Sequence, residues 1–435
     1  MHDYLVALGV AYTSLDPVSL RVVDEDAASV IIWVGVEPGS LSHEDGVNVA
    51  VALRDILLAY HIEDVHVEIR ESVLNASAKM YKPVPSSNPT VQVREHFSTA
   101  LGIPICAEET PHIQGTATLF FTVASKPGQL FLLTAKHVLF RVDEDNGDYT
   151  YNTSVPRRNV LLFGTNGFEA RVQDIEAKTG DARITEMRKH EKAITQLEQF
   201  LVTVQRDWSD PQNRVIGHVV RSPPLILSDG KDRVAQDFAV IEVDSTKIDA
   251  NNFVGNNAID LGTEIAVGTL TAWMHPKGSS GQSAFEFPGD RLLKFVDILS
   301  MDKIRSPDTG NRDSSRDDPT IMVLKRGSTT GLTIGRLNNL RSVLRKPYKA
   351  LGGAYSMEVA VFPRTSQSGA FSDAGDSGAA VVDGKGAVAS ILTSNSGSSE
   401  VSDCAYVTPI SFLLECLKNV GYPANIFPTA ADAFA

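Results

Sequence analysis

Several hydrophobic rhythms run along the chain, and they divide it. Near its start the β-branched run Ser29-Val30-Ile31-Ile32-Trp33-Val34 precedes a turn at Pro38-Gly39 and a stretch in which Val47, Ala50, Val51, Ile56, Leu57 and Leu58 recur near helical spacing. Ser42 and Asp45 form a capping box at the head of that stretch. Val65, Val67 and Ile69 then alternate with His66, Glu68 and Arg70, as residues of a half-buried strand do. Strand, helix and strand together predict a small α/β domain over residues 1–82. It holds no GxGxxG and no Walker-type glycine loop, so nothing in it points to a nucleotide, and its reading is structural or interactive.

Lys82-Pro83-Val84-Pro85-Ser86-Ser87-Asn88-Pro89 concentrates residues that resist helix and sheet alike, which predicts a linker over 83–99. Beyond it the rhythm shortens to many brief apolar runs punctuated by glycine: Thr116 to Ala124, Leu130 to Thr134, Phe238 to Val243, Ile321 to Leu324 and Ala379 to Val382. Short strands of this kind predict a mainly β domain, a sandwich or barrel, over 100–427. One stretch departs from it. Met187, Ile194 and Leu201 recur every seven residues with Leu197 and Val204 between them, predicting an amphipathic helix or helical hairpin inserted at 175–208 and packed on the domain. Ser306 to Asp318 reads as an exposed polar loop, and 428–435 as a frayed tail.

Composition narrows the classes. The 435 residues are 43% hydrophobic and 21% charged, ordinary for a folded globular chain of two or three domains. Forty basic against 53 acidic residues give a net charge of −13, which repels polyanions and argues against nucleic-acid or anionic-membrane partners. Three cysteines, Cys106, Cys404 and Cys416, do not make a disulfide framework and read as reduced structural thiols. The opening MHDYLVALGVAYTSL has neither a basic leader nor a sustained apolar core, which sets the expectation of a cytoplasmic protein. HExxH, paired CxxC and calcium-loop patterns are absent, so no metal site is expected. His43, His61, His66 and His190 sit among charged or helical residues and read as solvent-exposed, and the sequons at Asn75 and Asn152 carry meaning only in a secreted protein.

The candidate chemistry lies in three separated strings. In Asp373-Ala374-Gly375-Asp376-Ser377-Gly378-Ala379-Ala380, glycines flank a serine, allowing a tight turn that exposes Oγ and aims backbone N–H groups at one point. A serine needs a base within reach and an acid to orient the base. Leu133-Thr134-Ala135-Lys136-His137-Val138 supplies a histidine at the end of an apolar strand, and Gln236-Asp237-Phe238-Ala239-Val240-Ile241 an aspartate entering another. Singly, each has an ordinary reading: a surface or core histidine, a turn aspartate.

In the order His137, Asp237, Ser377, these strings resemble the blocks of the trypsin/chymotrypsin-like serine protease family. TAKHV is similar to TAAHC, QDFAVIEV to the D-[IF]-A-[LV] strand and AGDSGAAVV to GDSGGP. Lys325-Arg326-Gly327-Ser328-Thr329-Thr330-Gly331-Leu332-Thr333-Ile334-Gly335 resembles the K-x-G-x-T-T-G-x-T-x-G block of the microbial and viral-like branch. Tyr406 to Ile410 and Ser411 to Lys418 resemble its last strand and C-terminal helix. The resemblance spans roughly residues 100 to 425 and implies a trypsin-like double β-barrel with its site between the barrels. It implies Ser377 as nucleophile, His137 as general base and acid, Asp237 as the residue holding the histidine tautomer, and the Gly375 and Ser377 N–H groups as oxyanion hole. No cofactor is implied, and the partner is a protein or peptide substrate. Phe371, six residues before the nucleophile, would lie at the base of the primary pocket, and Ser390 would bind substrate backbone.

The departures are specific. Val138 stands where the family has a disulfide cysteine, Ala379 where secreted digestive members have glycine, and Ile113 follows His112 with no zymogen cleavage pattern. The active geometry is then expected to be built in, or set by the N-terminal domain or the helical insert. The competing reading is a catalytically silent protease fold that serves as a binding or scaffold protein.

Overall fold

The computed structural model describes residues 1–20, 29–36, 39–72, 78–185, 191–229, 233–275, 285–307, 312–313, 318–345, 348, 351–352, 354–396 and 404–434. Most of the Ser306–Asp318 loop, Met187, His190 and Asn75 lie outside the described residues. The chain forms two compact units, Met1–Ala76 and Ser77–Ala435.

In the first unit Tyr12–Leu20 runs antiparallel to Ser29–Val36, which pairs in parallel with Val65–Glu71. A parallel pair needs a crossover, and helix His43–Ala59 supplies it. Ser42 caps that helix by accepting the Asp45 N–H at 3.1 Å. Leu5, Val34, Val36, Val49 and Leu53 form the core between helix and sheet.

The second unit is built on two curled antiparallel sheets, the double-barrel architecture expected. The first is a half-barrel whose strands lie in the order Ala424–Asn425, Leu119–Val123, Phe131–Thr134, Ala239–Val243, Val215–Ser222, Asn159–Leu162, Pro104–Ala107 and Gly115–Thr116. The second closes on itself: Ile321–Gly327, Gly331–Arg345, Tyr355–Pro363, Cys404–Pro409, Ala387–Ser396 and Ala380–Asp383, which returns to the first strand. Val323, Val361, Val381 and Val407 fill this closed barrel. Their neighbours Met322, Leu324, Ala380 and Val382 face the larger core shared with the half-barrel. Burial on both faces is why these strands read as unbroken apolar runs.

Two helices, Thr165–Thr185 and Glu191–Trp208, occupy the expected insert. The first begins ten residues earlier than 175, because Asn166 and Gly167 weaken the helical signal of its opening turn. The second buries Leu197, Phe200, Val204 and Trp208, a stripe rotated from the heptad of Ile194 and Leu201. Its aromatics meet Tyr81 and Phe97: ring centroids lie 5.7 Å apart for Tyr81 and Phe200, and 5.6 Å for Phe97 and Trp208.

Those contacts correct the expected 83–99 linker. Val93 and Phe97 are buried, Tyr81 N–H donates to Phe97 O at 2.8 Å, and Arg291 donates to Val84 O at 3.0 Å. The Pro- and Ser-rich segment is extended but packed, since a few apolar residues behind it suffice to anchor a loop without regular structure. The expected tail is likewise ordered: Ala430–Phe434 is a helical turn with Ala433 buried and Phe434 5.8 Å from the Phe253 ring. Cys106, Cys404 and Cys416 are buried and form no disulfide among the described residues, and burial pushes the Cys106 thiol up to about 12. Among the described residues no helix is long and apolar enough to cross a membrane.

Candidate active site

The buried strand Phe131–Thr134 ends in a helical turn, Lys136–Leu139, which carries His137. The adjacent strand Ala239–Val243 pairs with it in register Ala239 to Thr134, which sets Asp237 beside the turn. The Asp237 carboxylate is shut off from solvent and bonds the histidine twice. One oxygen lies 2.8 Å from His137 Nδ1, and the other accepts the His137 backbone N–H at 3.3 Å. A carboxylate only accepts, so the proton of the neutral ring sits on Nδ1 and Nε2 is left as the basic nitrogen. The histidine side chain keeps 16% of its surface exposed.

Ser377 lies half-buried on a turn held by two glycines with left-handed backbone, Gly375 at φ +99° and Gly378 at φ +95°. Every exposed carbonyl of that turn is tied down. Thr329 Oγ1 donates to Ala374 O at 2.7 Å, Ser328 Oγ and Thr116 Oγ1 donate to Gly375 O at 2.7 and 2.9 Å, and Thr118 Oγ1 donates to Gly378 O at 2.6 Å. By contrast, the N–H groups of Gly375 and Ser377 donate to no acceptor among the described residues.

Thr116 joins the two loops. Its N–H donates to Ser377 O at 2.7 Å while its own carbonyl accepts from Thr134 Oγ1 at 2.9 Å, three residues before His137. The serine and histidine loops therefore meet on one residue of the half-barrel. The His137 and Ser377 side chains are not hydrogen-bonded to each other.

Beneath the serine lies a group that the sequence reading undervalued. Asp376 and Lys325 pair at 2.8 Å, both side chains at 0% exposure. The Asp376 carboxylate also accepts from Thr329 N at 2.9 Å, Thr330 N at 3.2 Å and Asp373 N at 3.1 Å. Burial pushes Asp376 upward, but Lys325 and these donors outweigh it and hold its carboxyl below the usual range. Burial also depresses the Lys325 ammonium, with Asp376 opposing. The signal was a lone lysine ending the apolar strand Ile321–Leu324.

Phe371 and Ser390 both have buried side chains. Phe371 is 1% exposed, packed in the closed barrel with Val323, Leu337 and Val361, and its carbonyl accepts from Thr333 Oγ1 at 2.7 Å. Ser390 is equally buried at 1%, and its hydroxyl has no partner among the described residues. The Phe371 ring finds its apolar surroundings inside the closed barrel. Among the described residues no group of three or more His, Cys, Asp or Glu side chains is arranged to hold a metal ion.

No family model and no curated protein matches the sequence. Solved structures do match, proteases among them. A glutamic-acid-specific serine protease aligns at 13% identity over 73% of this chain and 97% of its own, with a TM-score of 0.34. Thermobifida fusca Protease A aligns at 10% identity over 76% and 99%, TM-score 0.36, and Nocardiopsis protease at 13% over 76% and 100%, TM-score 0.35.

Proposed function

We propose that residues 77–435 are a serine endopeptidase acting on protein or peptide substrates, with residues 1–76 as a separate domain. Ser377 Oγ attacks the scissile carbonyl carbon while His137 Nε2 takes its proton. The carbonyl oxygen becomes an oxyanion received by the N–H groups of Gly375 and Ser377. The C–N bond then breaks, the imidazolium returns the proton to the departing amine, and an ester on Ser377 remains. Water, deprotonated by the same nitrogen, hydrolyses that ester and restores the serine. Asp237 fixes the tautomer and stabilises the imidazolium throughout.

One observation carries this reading: a fully buried carboxylate grips His137 through both ring and backbone, on a barrel edge that also holds the Ser377 turn. The uncommitted N–H groups of Gly375 and Ser377 support it, since donors left unpaired in a turn whose carbonyls are all used suit a transient anion. The buried Lys325–Asp376 pair supports a turn geometry that is built into the fold.

A second reading, a protease fold that binds without cutting, draws on the missing hydrogen bond between Ser377 and His137. Catalytic hydrogen bonds often tighten only with substrate in place, so chemistry must decide. The deciding experiment is labelling of the full chain with a fluorophosphonate probe, read by intact mass. The endopeptidase reading expects one adduct, lost in Ser377→Ala and His137→Ala. An unlabelled protein, or an adduct that persists in Ser377→Ala, overturns it in favour of the binding protein.

A further inference from the structure

His137 is preceded by a lysine that the proposed chemistry does not use. Lys136 is at 0% exposure, yet among the described residues no carboxylate lies within ion-pair distance of its ammonium. The acidic groups around it are committed elsewhere: Asp145 to Arg158 at 3.3 Å, Asp148 to Arg221 at 2.6 Å, and Asp237 to His137 at 2.8 Å. An unpaired buried cation is costly, so its retention needs a structural reason.

Neutral groups satisfy the ammonium. Nζ donates to Gly147 O at 3.0 Å and to Ser222 Oγ at 3.4 Å, and it lies 4.3 Å from the centroid of the Phe140 ring. Three N–H bonds thus have three partners, none of them anionic. Ser222 passes the connection on, donating to Phe238 O at 3.0 Å, the carbonyl next along the chain from Asp237. The histidine-bearing turn is therefore fastened to the Asp237–Phe238 segment through Lys136 and Ser222.

Resting on the protease reading of this site, we propose that Lys136 is a positioning residue for His137 and Asp237. Its ammonium clamps the turn to the Asp237–Phe238 segment, and its buried positive charge, held by neutral groups alone, biases the imidazole toward the neutral, proton-accepting form. A fixed cation beside the pair favours the Asp237 carboxylate and opposes a second positive charge on the ring. The other ionisable groups near this corner are Asp143, Asp145, Asp148, Arg158 and Tyr348. Burial pushes the Lys136 ammonium down to about 8, with Asp145, Asp237 and Asp148 opposing and Arg158 reinforcing the shift. The clamp's charge is thus removable within a mild pH range.

The test follows the His137 ring by NMR across pH in the full chain, assigned with His137→Gln, for the unmodified protein and Lys136→Met. The variant's midpoint is expected to move upward by on the order of one pH unit, because a cation has been removed. A purely structural role would broaden or weaken the signals without moving the midpoint, and an unchanged or lowered midpoint overturns the proposal. If circular dichroism shows that Lys136→Met does not fold, the unmodified protein decides. Its His137 signals should move a second time near pH 8 as Lys136 discharges, and a single-step curve overturns the proposal. The labelling experiment fails or succeeds independently of both curves, so loss of the endopeptidase reading and loss of the Lys136 role are separate outcomes.

Discussion

Lys325 and Asp376 meet at 2.8 Å with both side chains shut off from solvent, and Ser377 is the residue that follows Asp376 in the chain. Removing one member of a buried pair strands the other, which costs about 3–5 kcal/mol. Lys325→Met is expected to lower stability by that amount in urea and to abolish fluorophosphonate labelling, because Asp376 also organises the Thr329, Thr330 and Asp373 N–H groups. Since the Asp376 carboxyl lies below its usual range, its contribution is complete above the ordinary carboxylate pKa and disappears as pH falls through the lower folded value. Unchanged labelling in Lys325→Met would detach this pair from the serine turn.

Asp237→Asn keeps the shape of the acid but gives it an amide that can donate. The ring would then favour the tautomer with its proton on Nε2, the nitrogen that must accept from Ser377. The expected loss is about 10⁴-fold in labelling rate with little change in melting temperature. A loss below tenfold would mean that His137 is not oriented by this carboxylate.

Gly378 and Gly421 both have left-handed backbone, at φ +95° and +88°, but only one is crowded. A Cβ on Gly378 would stand 1.9 Å from Thr116 O and 2.6 Å from Thr134 Oγ1, whereas one on Gly421 meets nothing within 4 Å. Gly421→Ala should cost about 1–2 kcal/mol from backbone strain alone. Gly378→Ala should cost visibly more and eliminate labelling, since it pries the serine turn from the strand that also meets Thr134. Equal melting temperatures for the two variants would contradict the close approach.

Glu95 supplies a pH test distant from the serine. Burial lifts its carboxyl up to about 7 despite the ion pair with Arg326. Between about pH 4.5 and 7 the folded protein therefore keeps a proton that the unfolded chain has lost. Stability falls across that window as pH rises, by about 3 kcal/mol for a shift of this size. Denaturation of Glu95→Gln should show a flatter profile over the same range; an identical slope would place the dependence on another group.

Much of this was legible from local pattern. The strands around residues 119–123, 131–134, 239–243 and 380–383 are short apolar runs of strand length, and Ser42 caps its helix as its spacing to Asp45 suggests. The local settings of His137 and Asp237 were legible because each ends or enters such a run, and the structure brings their side chains to 2.8 Å. What stayed hidden depends on long-range packing. Val93 and Phe97 are too few to mark an element, yet they anchor the 83–99 segment against Trp208 and the half-barrel. Phe371 was counted from the serine along the chain, while its environment is decided by Gly335, whose missing side chain makes room for the ring. The importance of Lys325 emerges only when Asp376, 51 residues on, is brought to it.

The half-barrel borrows from far downstream. Ala424–Asn425 pairs with Leu119–Val123, and Asn257 donates to both Phe120 O at 2.6 Å and Ile426 O at 2.8 Å. On a ribosome the strand 119–123 is thus made some three hundred residues before the partner that covers its edge, and the whole closed barrel emerges in between. A nascent chain that has already exposed the histidine and aspartate loops still lacks both the serine and the strand that seals the half-barrel. The half-barrel edge is therefore covered only once synthesis has passed residue 426.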